Sequence, residues 1–162
     1  MTKRARTPTF TVGVRALFAS LMLVTACSRE QPATEATPTR PAMEVQHDTA
    51  EIARVFPALG EPVAASWIRW DNRGQDSRAT VTWIDAVVQV TPPTMKTLVR
   101  QHQSEPSPHR PAVQKVLEAD VPAGPFRTGV ELNMAFSPGR MSTRVFLDPP
   151  RDVVVLQSYD IS

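Results

Sequence analysis

The chain has 162 residues and a formal net charge of +2, with one cysteine and three histidines. This length fits a single domain, one cysteine excludes an internal disulfide framework, and six glycines leave little room for phosphate-cradling loops. A small basic protein raises the question of a nucleic-acid partner or an acidic surface. The basic residues are unevenly spread along the chain, so the answer depends on where they lie.

The N-terminus has the composition of an export signal. Residues 1–15 contain four basic residues and no acid, and residues 16–26 are uncharged and largely apolar. A membrane-spanning helix needs about 20 such residues, whereas an apolar run of about 7–15 residues is typical of a secretory signal peptide. We therefore predict that residues 1–26 are a signal peptide. No other stretch of the sequence approaches membrane-spanning length.

The end of this signal has a more specific pattern. Leu23-Val24-Thr25-Ala26-Cys27 resembles the lipobox of bacterial lipoproteins, in which an aliphatic residue, a small residue and Ala or Gly precede a cysteine. The small residues let the chain enter the type II signal peptidase, and the cysteine thiol accepts the diacylglycerol. The resemblance implies cleavage before Cys27 and acylation of the new N-terminus. The single cysteine of the chain lies where the motif requires it.

This resemblance also implies a place in the cell. Several acyl chains give stable anchoring, whereas one chain would be marginal at about 0.8 kcal/mol per buried CH₂. Ser28 follows the cysteine, and by the enterobacterial sorting pattern a residue other than Asp indicates the outer membrane. We expect a protein of the cell envelope, lipid-anchored in the outer membrane and facing the periplasm. Its acylated cysteine would provide no thiol for catalysis or metal binding.

Processing at this point reverses the charge of the protein. Cleavage before Cys27 removes four basic residues and no acid, which leaves 14 Lys+Arg against 16 Asp+Glu and a net charge of −2. The basic balance therefore belongs to the export signal rather than to the mature protein. For this reason we expect no nucleic-acid partner.

Residues 27–47 join the anchor to the folded part. Beyond Cys27 they are rich in Pro, Thr, Ala and Glu and almost empty of large apolar side chains, so they bury too little surface to offset their ordering entropy. We predict a disordered tether that reaches about 60 Å when extended, at about 3.1 Å per residue. Residues 48–162 then form one small domain, which is large enough to need no disulfide.

The first half of this domain begins with a helix and a hairpin. Asp48 and Glu51 have capping-box spacing ahead of a short helical run that Pro57 ends. Residues 64–70 and 79–91 are rich in β-branched and aromatic residues and flank a polar loop. This arrangement predicts two strands joined as a hairpin.

A second helix follows the hairpin. Thr91 precedes two prolines, as an N-cap precedes a first helical turn. Met95, Leu98, Val99 and His102 then recur at helical spacing, which predicts a surface helix packed on the sheet. Beyond a proline-broken loop, residues 112–117 have room for one short helical turn.

Residues 130–136 are ambiguous. Thr128 and Glu131 have capping-box spacing and favour a helix, whereas four apolar residues between 130 and 136 alternate with polar or small ones and favour a strand. We prefer the strand, which with residues 141–147 and 153–159 would form a three-stranded meander. The predicted fold class is α+β: a mainly antiparallel sheet, made of the N-terminal hairpin and the C-terminal meander, with one or two short helices packed on it.

Five residues of the domain are candidates for ligand binding. Trp67 and Trp70 are three residues apart in one strand and so lie on opposite faces; an outward Trp would anchor a protein or glycan partner, unless helices cover both rings. Arg73 and Arg78 lie in the hairpin loop and could bind phosphate or carboxylate, although we prefer ordinary solubility as their explanation because acids share that loop. Asp85 interrupts an apolar strand. It is either a functional acid with a raised pKa, an exposed residue, or the partner of an arginine on a neighbouring strand.

Signals of catalysis are absent from the sequence. It contains no Gly-x-Ser-x-Gly elbow, phosphate-binding loop, dinucleotide glycine run or paired-cysteine motif, and its three histidines lack the spacing of a metal site. We therefore predict no enzyme, no catalytic residue, no cofactor and no metal. Anchor, tether and compact domain favour a lipoprotein that binds another envelope macromolecule as an accessory, inhibitor or immunity factor. The alternatives are a lipoprotein that binds a glycan, lipid or small solute, and a hydrolase of unfamiliar type.

Overall fold

One antiparallel sheet organises the folded part of the protein. The computed structural model describes residues 43–73 and 78–162, and within them six strands pair in the order β1-β2-β6-β5-β4-β3. The strands are β1 (Ala64–Asp71), β2 (Val81–Gln89), β3 (Glu105–Ser107), β4 (Phe126–Thr128), β5 (Ser142–Asp148) and β6 (Val153–Ile161). The α-helices are α1 (Thr49–Val55), α2 (Pro92–Gln101) and α3 (Val130–Ala135). The α+β fold class with its antiparallel sheet is therefore confirmed, and the described residues contain three short α-helices rather than one or two.

The predicted caps of α1 and α2 act as their sequences indicate, whereas α3 has Gly129 as its N-cap residue and no side-chain cap from Thr128. Asp48 accepts a hydrogen bond from the backbone N–H of Glu51 at 2.9 Å and so begins α1. Thr91 accepts one from the N–H of Thr94 at 3.3 Å, and the two prolines that follow occupy the first turn of α2. Proline suits these positions because its missing N–H would have no partner inside the helix.

The predicted hairpin is also confirmed, and it sets the register of the sheet. Strands β1 and β2 pair from Ala64 opposite Gln89 to Asp71 opposite Thr82. On the other side of β2 lies β6, so the C-terminal strand occupies the middle of the sheet between β2 and β5. This position explains why β6 is apolar on both faces over residues 153–156, all of which are buried.

The predicted strand at 130–136 is wrong, because this segment is α3. Leu132 and Phe136 are both fully buried, whereas Val130 and Met134 are 74% and 64% exposed. Only every second member of the alternating series therefore contacts the core, and a spacing of four residues is that of a helix face. The third strand of the C-terminal meander is instead β4, which pairs with β5 through Arg127 and Leu147.

Side chains of α3 and of the turn after it take the place of a strand partner along β5. Asn133 accepts a hydrogen bond from the N–H of Val145 at 2.8 Å, and Ser137 accepts one from the N–H of Thr143 at 3.0 Å. These bonds satisfy edge donors that would otherwise be open to another chain. These hydrogen bonds give a physical reason for a helix at this position, because the helix places the side chain of Asn133 where it can accept a bond from the edge of β5.

Asn133→Ala is expected to destabilise the domain by about 1–3 kcal/mol, because the N–H of Val145 loses its acceptor. The loss should appear even though alanine is the better helix former. The matched control is Met134→Ala in the same helix, where the side chain is 64% exposed. Urea unfolding of both variants measures the effect, and equal stabilities would contradict the bonding role of Asn133.

The folded domain begins earlier than the predicted boundary at residue 48. Gln46 pairs with Trp67 through two backbone hydrogen bonds of 2.8 and 3.0 Å, and the ring of His47 bonds the carbonyl oxygen of Ala65 at 2.8 Å. Met43 and Val45 pack against the core on one side of the sheet. Residues 43–47 therefore line the edge of β1 rather than belonging to the tether, since their two apolar residues alternate and give them one face to bury.

The sheet has a core on each face. On the first face, α1, α2 and α3 cover a large cluster that includes Trp67, Ile84 and Leu156. On the second face, the segment between β3 and β4 covers a smaller cluster through Val113, Leu117 and Val121. That cover ends before the hairpin end of the sheet, where side chains of the second face remain accessible.

Candidate functional site

Three aromatic residues form a row at the uncovered end of the second face. The register places Trp70 of β1 opposite Trp83 of β2, and Trp83 opposite Tyr159 of β6. The two indoles stack with a centroid distance of 5.9 Å and an interplanar angle of 14°. Tyr159 is 43% exposed, and no ring contact or hydrogen bond of its side chain occurs within the described residues. We call these three side chains the aromatic row.

An open groove of about 530 Å³ runs along the aromatic row. Its other lining residues come mainly from the next row of the sheet, from β5 and from the segment that covers the second face; they include Asp85, Ala112, Gln114, Ser142, Arg144 and Gln157. A volume of this size is in the range of ligand-binding clefts. The groove is therefore the candidate binding site.

Two side chains of the sheet hold the segment that forms one side of the groove. Asp85 accepts a hydrogen bond from the backbone N–H of Gln114 at 2.8 Å, and the side-chain amide of Gln157 donates one to the carbonyl oxygen of Ala112 at 2.8 Å. Asp85 and Gln157 are register partners on β2 and β6. Two neighbouring strands thus hold residues 112–114 against the sheet, and this segment closes the groove on that side.

The environment of Asp85 differs from two of the alternatives that the sequence left open, an exposed carboxylate and an arginine pair. It is 6% exposed and bonds a backbone N–H, with no arginine partner in the described residues. Burial raises the pKa of Asp85, and the hydrogen bond from Gln114 opposes that shift in part. Asp85 lines the groove, but one of its carboxylate oxygens is already committed to positioning the wall.

Asp85→Asn is expected to stabilise the domain at neutral pH. Because the folded-state pKa lies above the unfolded one, ionisation costs stability as the pH rises through the interval between them, and acidification restores it. The amide keeps an oxygen acceptor for Gln114 and removes the charge. The gain at pH 7 should stay below about 1 kcal/mol, because the hydrogen bond from Gln114 favours the ionised carboxylate and offsets part of its desolvation cost.

Urea unfolding at pH 7 and below the ordinary aspartate pKa measures this effect, and the gain should vanish at the lower pH. Asp85→Ala is the matched control, since it removes charge and acceptor together; it should cost about 1–2 kcal/mol at the lower pH and less at pH 7, where loss of the charge offsets part of that cost. A destabilised Asn variant would show that the ionised carboxylate stabilises the fold.

A second groove of about 460 Å³ lies on the first face of the sheet, where Arg69, Thr82 and Ile84 alternate with the aromatic row, and it shares the lining residues Ser158 and Tyr159 with the first groove. Its charged residues include Arg69, Asp71, Arg73 and Asp160. Arg73 forms an ion pair with Asp71, whose pKa is lowered by hydrogen bonds from the Arg73 side chain and backbone. Arg69 is exposed and without a partner in the described residues.

The structure separates the residues that the sequence proposed for binding. Trp70 and Asp85 line the first groove and Arg73 lines the second. Arg78 is exposed beside the undescribed residues 74–77 and lines neither groove. Trp67 is 1% exposed and its indole N–H donates to the carbonyl oxygen of Asp48 at 3.2 Å, so it is a core residue and its candidate binding role was wrong. Cys27 and the signal peptide lie outside the described residues.

Sequence reasoning missed several residues of the site. Tyr159 and Arg144 line the groove, but neither stands out in a sequence where one tyrosine ends a strand and arginines are frequent. The available signal was alternation, which places Trp83, Asp85 and Val87 on one face of β2. Alternation gives no information on which strand lies beside β2, and that neighbour supplies Tyr159.

Two further features concern metal binding and membrane spanning. Among the described residues, no group of three or more His, Cys, Asp and Glu side chains is arranged to hold a metal ion. The part of the chain that the structure describes also contains no helix with the length and apolar character needed to span a bilayer.

Comparisons with protein-family models, with curated proteins and with solved structures found no match to this chain.

Proposed function

We propose that this protein is a lipid-anchored lipoprotein of the cell envelope, in the outer membrane and facing the periplasm, whose domain binds another envelope macromolecule through the groove along the aromatic row. The anchoring part rests on the lipobox-like residues 23–27. The binding part rests on one observation: half-buried and exposed aromatic side chains line an open groove at the uncovered end of the sheet. Trp and Tyr, together with Arg, are the side chains enriched at binding hot spots.

The shape of the groove supports a macromolecular ligand. It is open rather than enclosed, so a bound molecule can extend beyond the residues that line it. The accessory, inhibitor or immunity role that we propose is binding without chemistry, and it needs no cofactor.

The anchoring proposal is tested by growing cells with a clickable palmitate analogue. The wild-type chain should be labelled and sediment with membranes, and Cys27→Ala should lose both properties, because the thiol that accepts the lipid is gone. Ser28→Ala is the matched control and should keep the label. Labelling of the Cys27→Ala chain would overturn the anchoring proposal.

The binding proposal is tested by cross-linking intact cells and purifying the full chain. The wild type should recover a partner in constant ratio, and Tyr159→Ala should recover much less, because Tyr159 lines both grooves. Met134→Ala serves as the control, since this exposed residue lines neither groove. Equal recovery by Tyr159→Ala and the wild type would overturn a role for the grooves.

A small solute is the second candidate ligand, and the groove volume of about 530 Å³ is the observation that favours it. Native mass spectrometry of the chain purified from its own cells separates the two candidates. A co-purifying small molecule that Tyr159→Ala loses would favour the solute.

A further inference from the structure

The composition of the groove wall restricts its ligand. Apart from the aromatic row, Ala112 is the one apolar residue lining the groove among the described residues, and no Leu, Ile, Val, Met or Phe side chain contributes. An acyl chain or the apolar anchor of a peptide is bound by aliphatic and aromatic side chains together. This wall instead combines flat rings with amide, hydroxyl, carboxylate and guanidinium groups.

The aromatic row presents a ring face to the groove. Trp70 stacks on Trp83 from the side of β1, and Tyr159 lies on the opposite side of Trp83, on β6. No ring contact joins Trp83 to Tyr159 in the described residues, although their strands are neighbours in the register. The side of Trp83 that faces Tyr159 therefore has no ring partner, and the groove lies along it.

A cationic group stands on the other side of the groove. Arg144 is exposed on β5, and within the described residues its guanidinium forms no ion pair or hydrogen bond. Gln157 separates it from Asp85 along the register, so the nearest acid of the groove floor lies two strands away. An unpaired guanidinium is the group best suited to a carboxylate, which it can bind through two parallel hydrogen bonds.

We infer that the groove binds a glycan strand whose sugar units carry carboxylate groups. This inference rests on the proposed function and names the class of its macromolecule. A pyranose ring has an apolar face of C–H groups that packs on the free side of Trp83 and against Tyr159, while Arg144 binds the carboxylate. The exposed hydroxyl of Ser142 and the polar wall at Gln114 lie beside the sugar hydroxyls.

The same residues indicate binding without cleavage. Glycoside hydrolysis uses a pair of carboxylates placed on either side of the scissile bond. Among the described residues, Asp85 is the one carboxylate that lines the groove, and its hydrogen bond to Gln114 commits one of its oxygens. We therefore expect a bound glycan to be recovered intact.

Carboxylate-bearing sugars have two sources in a cell envelope: cell-wall glycan strands whose peptides have been removed, which frees the lactyl carboxylate of each muramic acid unit, and exported uronate polysaccharides. For the first, the full chain in detergent is titrated with peptide-free cell-wall glycan strands. For the second, the chain is titrated with a hexamer of galacturonic acid, and tryptophan fluorescence is recorded. A cellulose hexamer of equal length, which carries no carboxylate, is the neutral control. Binding to either charged probe and at least about tenfold weaker binding to the neutral one is the expected result.

Three variants connect the binding to the groove. Trp83→Ala should weaken it by at least about 30-fold, as expected for a central aromatic contact, and Arg144→Gln by about tenfold, with the charged probe only. Arg140→Gln is the matched control, because this arginine is exposed and lines neither groove. Circular dichroism checks the folding of each variant. If Trp83→Ala unfolds, Arg144→Gln still tests the inference, because the Arg144 side chain forms no hydrogen bond or ion pair in the described part of the chain and its replacement should not disturb the fold.

Several outcomes would overturn the inference. No binding to peptide-free cell-wall strands or to hexagalacturonate at millimolar concentration excludes a carboxylate-bearing glycan, and equal binding of the neutral hexamer excludes carboxylate recognition. Arg144→Gln and Arg140→Gln with the same affinity for the charged probe would exclude Arg144. Failure with every sugar, together with a protein partner that Tyr159→Ala loses in the cross-linking experiment, would leave the proposed function standing and replace the glycan by a protein.

Discussion

Trp67→Ala should destabilise the domain by about 3–5 kcal/mol, a large part of the stability of a domain of this size. The indole is 1% exposed and belongs to the core beneath the helices. Truncation leaves a cavity the size of two rings, and it also removes the hydrogen bond to the carbonyl oxygen of Asp48, the N-cap residue of α1. The mutation therefore weakens the attachment of α1 as well as the core.

Trp70→Ala is the control for this prediction, because it removes an indole of equal size from the same strand. Trp70 is only half-buried and lies beside the open groove, so its loss should cost about 1–2 kcal/mol. Urea unfolding followed by circular dichroism compares the two. Equal losses of stability would contradict the assignment of Trp67 to the core and Trp70 to the groove.

Gly129→Ala should cost at least about 3 kcal/mol, at the upper end of the usual penalty for overpacking. Gly129 lies between β4 and α3, and a Cβ atom there would overlap the carbonyl oxygen of Gln103 and press on the backbone of Ser104. Neither contact can be relieved by rotating a side chain. The strain would separate β3 from β4, which pair through only three residues each.

Gly139→Asn is the matched control. Gly139 has φ of 63°, and a Cβ atom at this position would have no neighbouring atom within 4 Å. Asparagine tolerates this left-handed conformation. Its loss of stability should be below about 1 kcal/mol. Thermal unfolding monitored by circular dichroism measures both variants. A stable Gly129→Ala chain with amide exchange at β3 and β4 like the wild type would show that the backbone at Gln103 yields without cost.

The local signals in this sequence were reliable where neighbouring residues decide the structure. The Asp48 cap, the Thr91-Pro-Pro start of α2 and the β1–β2 hairpin all involve partners close along the chain, and each was predicted correctly. The buried part of α2, at Met95 and Leu98, also follows its predicted face. These features depend on backbone geometry and on side chains within a few residues.

Local signals were ambiguous where the choice depended on a distant partner. Residues 130–136 fit a strand by alternation and a helix by capping, and the outcome depends on β5, whose edge N–H groups bond Asn133 and Ser137. In the same way, residues 43–47 lack a strong signal of their own and are held by β1. A pattern read along one segment contains no information about the element beside which it packs.

The sequence by itself determined the fold class, the opposite faces of Trp67 and Trp70, and the lipoprotein hypothesis for residues 1–27, which remains a prediction. Tertiary structure alone decided which of the two indoles is buried and assembled the groove. The physical reason is the strand order: β6, the last strand, pairs between β2 and β5 and so brings Tyr159 beside Trp83, and Arg144 beside Gln157. Trp83 and Tyr159, which are 76 positions apart, become neighbours through backbone pairing, and no periodicity within either segment predicts this contact.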